Sequence, residues 1–169
     1  MLSSKMEKAL NDQVNAELFS AYLYLAMVAY FEDQNLSGFA QWMTAQSQEE
    51  NFHAMKFFSY IHERGGRVTL ESIEKPQFTW ASPLAALEAA LAHEQYISKR
   101  INDLVDLAID EKDHATNSFL RWFVDEQVEE EDHVGGIVQK LHMIGTEGGG
   151  LFMMDRDLGT RVFTPPVNA

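Results

Sequence analysis

Shifted by 77 residues, the chain repeats itself. Glu17 falls on Glu94, Glu49 on Glu126, Glu50 on Gln127 and His53 on Glu130. Apolar positions follow at the same offset: Leu10 on Leu87, Val14 on Leu91, Val28 on Val105, Met43 on Leu120, Phe57 on Val134 and Tyr60 on Ile137. Within each half these residues step by three and four, the period of a helix face turned to a core. The repeat therefore predicts two antiparallel helical hairpins related by a pseudo-twofold axis. It also predicts something costly. Glu17, Glu50, His53, Glu94, Gln127 and Glu130 lie in the inward stripes, roughly 20–28 Å from the hairpin turns at the helical rise per residue. All four stripes lose their apolar character at one depth.

The remaining punctuation completes an all-α bundle in a single domain. Ser3 or Ser4 should cap the first helix (about 4–33), Ser4 forming a capping box with Glu7. Ser37 is expected to cap the second (about 37–64), which stops at Gly65-Gly66. Both are roughly 40–45 Å long. Residues 66–82 then form a crossover able to span more than ~50 Å, the length of the bundle. Ser82 and Pro83 open the third helix (about 83–111), and a turn at Lys112-Asp113-His114 leads to the fourth (about 114–145). A short fifth helix is expected over about 150–158, followed by an extended, weakly ordered end.

Composition excludes several functions. A net charge of −13 and a pI near 4.7 oppose nucleic acid as a partner. The absence of cysteine removes disulfide scaffolds, thiolate zinc sites and rubredoxin-type iron, and fits a reducing compartment. With no signal-peptide pattern and no run of 18 apolar residues, the expectation is a soluble cytoplasmic protein that does not engage a membrane.

Two readings of the inward polar positions compete. A plain polar core would hold several carboxylates together against one possible imidazolium, where they repel strongly at low dielectric. Bound cations remove that conflict, and oxygen-plus-imidazole donors suit iron, manganese or zinc. The metal reading is preferred.

Glu17, Glu50-x-x-His53 and Glu94 reproduce much of a known pattern: a Glu from each of two helices plus Glu-x-x-His from the others, as in di-iron carboxylate bundles. Here Gln127-x-x-Glu130 replaces the second Glu-x-x-His. In this the chain resembles bacterial non-haem ferritins. Bacterioferritins keep that histidine and have a haem-ligating Met where Asn51 stands, so the resemblance implies no haem. It covers nearly the whole chain, and implies the ferritin-like fold: a four-helix bundle of two hairpins and a long crossover, plus a fifth helix.

The resemblance further implies a ferroxidase that oxidises Fe(II) with O2 or H2O2 and stores a ferric-oxo mineral in a homo-oligomeric, 24-subunit shell. Glu17, Glu50 and His53 would hold one iron; Glu94, Glu130 and a shared Glu50 oxygen the second. Gln127 would position the bound oxygen species, and Tyr24 would hydrogen-bond and supply an extra electron, a role Trp122 could share. Glu49, Glu126 and Glu129, sharing Glu130, match a third iron site, although their charge pattern alone reads as a solvated acidic face. Asn117 and Leu120 stand where many ferritins carry acidic channel residues, which leaves the route of iron open. His62, His93, His114, His133 and His142 read as surface or interhelical polar groups. The rivals are a rubrerythrin-like di-iron peroxidase, poorly matched by Gln127-x-x-Glu130, a DNA-protecting mini-ferritin, and an iron-free structural bundle.

Overall fold

The computed structural model describes residues 1–145 and 148–166. It is all-helical among the described residues, with α1 (Ser4–Asp33), α2 (Ser37–Glu63), α3 (Pro83–Asp110), α4 (His114–Ile144) and α5 (Gly149–Leu158). Helices α1 and α2 pair as one hairpin and α3 and α4 as the other; α1 meets α3, and α5 rests on α2 and α4. These are the two hairpins expected from the repeat, with a fifth helix packed beside them.

The pseudo-twofold extends to the turns. Asn35 and Lys112, 77 residues apart, both take left-handed backbone (φ 58° and 56°). The flanking amides repeat as well: Leu36 N–H donates to Phe31 O at 2.9 Å and Asp113 N–H to Ala108 O at 2.8 Å. Asn tolerates this conformation readily; for Lys it is uncommon, and the closing hydrogen bonds hold it.

Two caps differ from expectation. Ser3 is the cap of α1, its hydroxyl accepting from Met6 N–H at 3.0 Å, so no Ser4–Glu7 capping box forms. The cap position of α2 falls on Leu36, which has no side-chain acceptor, and Ser37 is already helical. The free N–H groups of Gly38 and Phe39 donate instead to Asp155 Oδ1 on α5, at 2.8 and 3.0 Å. A cap borrowed from 117 residues away ties the fifth helix to the start of the second. Ser82 and Asp113 cap α3 and α4, accepting from Ala85 N–H and Thr116 N–H, each at 3.1 Å.

The core is split. One apolar cluster gathers Met27, Phe31, Phe39, Met43, Leu87 and Leu141; the other gathers Leu10, Val14, Phe57, Ile101, Leu120 and Phe123. Between them lies a belt of Gln13, Glu17, Ser20, Gln46, Glu50, His53, Glu94, Gln127 and Glu130, none more than 5% exposed. Helix α1 is apolar and long enough to cross a membrane by composition, yet Glu17 sits at its middle and its apolar stripe faces this core.

The crossover is pinned from α1. Asn11 Nδ2 donates to Arg67 O at 3.0 Å and its Oδ1 accepts from Thr69 N–H at 2.7 Å. Trp80 packs edge-on to Tyr30, centroids 5.2 Å apart. Of the extended end expected beyond α5, residues 161–166 carry no helix or strand and touch α2, and residues 167–169 lie outside the described residues. Gln41 Nε2 donates to Arg161 O at 3.0 Å, and Phe163 lies against Phe52.

Candidate metal centre

The belt residues sit in the inner parts of four long helices, between the two apolar clusters. Glu17, Glu50 and His53, all buried, offer ligand atoms within 4.8 Å of one another. Glu50 Oε2 lies 3.5 Å from His53 Nδ1. Glu17 Oε2, Glu50 Oε1 and His53 Nε2 are buried without any hydrogen-bond partner. Burying a polar atom unpaired costs about 1–3 kcal/mol, and more if it is charged. Three such atoms on three residues that share one small volume fit a cation.

The other carboxylates are supported rather than orphaned. Glu94 Oε1 accepts from the Tyr24 hydroxyl, and Glu94 Oε2 from Gln127 Nε2 at 3.2 Å. Glu130 Oε2 accepts from Gln46 Nε2 at 2.5 Å. Glu17 Oε1 accepts from Gln13 Nε2 at 2.8 Å, and Gln13 Oε1 accepts in turn from Arg100 Nε at 2.9 Å. Glu94 and Glu130 do not fall within the tight Glu17–Glu50–His53 group.

Electrostatics set the protonation of the belt. Burial, and then repulsion from Glu94, Glu17 and Glu130, pushes the Glu50 carboxyl well above its usual range. Burial raises Glu94 to about 7 and Glu130 well up, and raises Glu17 against the pull of its Gln13 hydrogen bond. Burial, then the nearby Lys56 ammonium, lowers His53 to about 3, leaving a neutral imidazole with a free ligand nitrogen. Glu94, raised to about 7 in the folded apoprotein, is partly protonated at neutral pH, and a cation must displace that proton. Mixing redox-silent Zn(II) with apoprotein in weak buffer near neutral pH should therefore acidify the solution, and apparent affinity should rise with pH. A titration with no proton release would contradict this assignment.

A second group lies beside the first. Glu49, His53 and Glu126 also offer ligand atoms within 4.8 Å of one another. Glu129 is exposed and outside that group, although its charge adds a little to the burial that raises Glu49 and Glu126. Trp122 packs edge-on to His53 at 5.4 Å, with Lys56 Nζ 4.1 Å from its ring centroid. Leu120 is fully buried in the core cluster of Phe57 and Phe123, so it faces no channel. His93 lies between helices, Nε2 2.8 Å from Ser20 Oγ; His62, His114, His133 and His142 are exposed.

Gln13, Gln46 and Arg161 were not among the expected site residues. Gln13 and Gln46 each stand one turn before a ligand candidate, a spacing that can signal side-chain support. Arg161 lies outside every periodic segment and carries no such signal.

An antiparallel four-helix bundle crossed by a carboxylate–imidazole belt is the architecture of the di-metal carboxylate proteins. Residues 7–144 match the ferritin-like domain family. The chain is 45% identical over 161 residues to a bacterial non-heme ferritin of Bacteroides fragilis, covering 95% of this chain and all of that one. It is 39% identical over 163 residues to the bacterial non-heme ferritin of Staphylococcus aureus, covering 96% and 98%. Among solved structures, an open-pore ferritin from the hyperthermophilic archaeon Archaeoglobus fulgidus superposes with a TM-score of 0.95 at 51% identity, covering 96% and 99%. A form of that ferritin engineered to be closed gives 0.96, also at 51% identity, covering 97% and 100%. The chain belongs to the ferritin family.

Proposed function

We propose that this chain is a ferroxidase and iron-storage subunit, with Fe(II) as the substrate of the belt. The observation that carries this reading is the coincidence of three orphaned buried ligand atoms on Glu17, Glu50 and His53. These residues hold one Fe(II); Glu94, Glu130 and a shared Glu50 oxygen hold the second. Two Fe(II) ions supply two electrons, enough to take O2 to the level of peroxide. The protein's part is to shed carboxyl protons as the cations arrive, exclude water from the belt, and hold each carboxylate in place. Tyr24 and Gln127 do this for Glu94, Gln46 for Glu130 and Gln13 for Glu17. Tyr24, hydrogen-bonded to Glu94, would also supply an extra electron. Glu49 and Glu126, with Glu129 and Glu130 adjoining, take a third iron on its way to a ferric-oxo mineral.

Mineral storage requires an enclosure, so we read the chain as a subunit of a closed cytoplasmic homo-oligomer, a 24-subunit shell. Exposed Tyr22, Leu25 and Phe78, together on α1 and the crossover, support an apolar contact between copies.

Anaerobic Fe(II) titration of apoprotein, then air and size-exclusion chromatography, tests this reading. Two or three tight sites per chain, fast oxidation and a large assembly retaining iron are expected; oxidation by a small oligomer that retains no mineral would refute storage. Tyr24→Phe should slow oxidation, by up to about the 10–100-fold cost of losing a ligand's supporting partner, without loss of helicity. Glu49→Gln or Glu126→Gln should alter the Fe:O2 ratio more than the initial rate. An unchanged ratio would remove the third site.

A further inference from the structure

The outer group of Glu49, His53 and Glu126 already faces a cation, one that belongs to the chain itself. Arg161, two residues past Gly159 at the end of α5, extends its guanidinium onto α2. Its Nη2 donates to Glu49 Oε2 and its Nη1 to Gln46 Oε1, both at 2.5 Å. The guanidinium lies over the Trp42 ring, 4.3 Å from the centroid, and the Arg161 and Glu49 side chains are only 21% and 15% exposed. The Nε2 of the same Gln46 amide donates to Glu130 Oε2. One arginine is thus in contact with an outer carboxylate directly and with an inner one through a single amide.

What delivers Arg161 is the docking of α5. Asp155 Oδ1 takes both free amides at the start of α2, and Gly159 approaches Gly38 closely enough that a Cβ there would lie 3.3 Å from the Gly38 Cα. From that anchor the chain runs along α2, where Gln41 Nε2 donates to Arg161 O at 3.0 Å.

Resting on the reading of Glu49 and Glu126 as a cation site, we propose that Arg161 is that site's resident cation, and that a divalent ion gains Glu49 only as the guanidinium withdraws. The same withdrawal frees Gln46 to turn its amide, so filling the outer site loosens the hold on Glu130. Bidentate guanidinium pairing is a strong, geometrically demanding contact, and Lys cannot reproduce both prongs.

Zn(II) titration calorimetry on assembled apoprotein tests this, comparing wild type with Arg161→Gln and Arg161→Lys. Arg161→Gln should tighten the outer binding step by roughly tenfold, the scale of one charge-assisted hydrogen bond. The inner step should weaken as the hold of Gln46 on Glu130 loosens, and Arg161→Lys should fall between. A weaker outer step in Arg161→Gln would overturn the proposal. The Glu49→Gln, Glu126→Gln double variant identifies the outer step by removing it. If it does so while Arg161→Gln leaves that step unchanged, the resident-cation proposal is wrong and the site reading stands. If the double variant removes no step, the outer site itself is wrong and the proposal fails with it.

Discussion

Replacing His53 by alanine, or Glu50 by glutamine, is expected to slow Fe(II) oxidation by at least about 100-fold. Loss of a ligand's supporting partner typically costs about 10–100-fold in metal affinity or activity, and a ligand itself should cost no less than the top of that range. Both variants should remain fully helical. The apoprotein of Glu50→Gln should be more stable than wild type, because the substitution keeps the side chain's shape and removes a carboxyl pushed up by burial and three like neighbours. A gain of one kcal/mol would appear as a rise of about 2–4 °C in apparent Tm for a chain of this size. Stability and activity are thus expected to move in opposite directions, as they should when a residue is present for a ligand's sake. Stopped-flow oxidation and circular dichroism on the same preparations check both. A wild-type rate in either folded variant would refute the assignment.

Much of the fold was legible because it is written twice. The 77-residue repeat identifies the hairpins, and it continues into the left-handed turns at Asn35 and Lys112. The inward position of Glu17, Glu50, His53, Glu94, Gln127 and Glu130 was legible for the same reason, since all six are buried in one belt. The supports of that belt were not. Tyr24, Gln13 and Gln46 have Ile101, Ala90 and Phe123 at the repeat positions, so they break the symmetry that made the ligand candidates visible. Tyr24 stands on the inward stripe of the first helix as a polar member, but its role was reached only through the family resemblance. The least legible parts are the contacts made by α5 and the tail. The cap of α2 comes from Asp155, and the partner of Glu49 from Arg161. Helical periodicity relates residues three and four apart, and contacts across more than a hundred residues leave no trace in it.

Gly38→Ala should destabilise the protein, although the same substitution inside a helix ordinarily stabilises by up to about 1 kcal/mol. A Cβ on Gly38 would lie 1.6 Å from the Asp155 carbonyl oxygen and 2.4 Å from its carbon. Backbone cannot step aside as a flexible side chain does, so α5 must lift. With it go the two hydrogen bonds to Asp155 Oδ1, a cap worth typically ~1 kcal/mol, and the burial of Met154, worth about 1.5–3 kcal/mol. The expected loss is about 2–4 kcal/mol, in the range of severe single substitutions. Gly136→Ala is the matched control: Gly136 lies inside α4 with nothing within 4 Å of its would-be Cβ, and should be neutral to stabilising. Amide hydrogen exchange should show α5 unprotected in the first variant and unchanged in the second. Because lifting α5 also carries Arg161 away from Glu49, Gly38→Ala should reproduce the tighter outer Zn(II) step of Arg161→Gln without touching a charged residue. Protected α5 amides and an unchanged melting temperature in Gly38→Ala would mean that α5 does not sit against α2 in solution, and that Arg161 is not delivered to Glu49 by that contact.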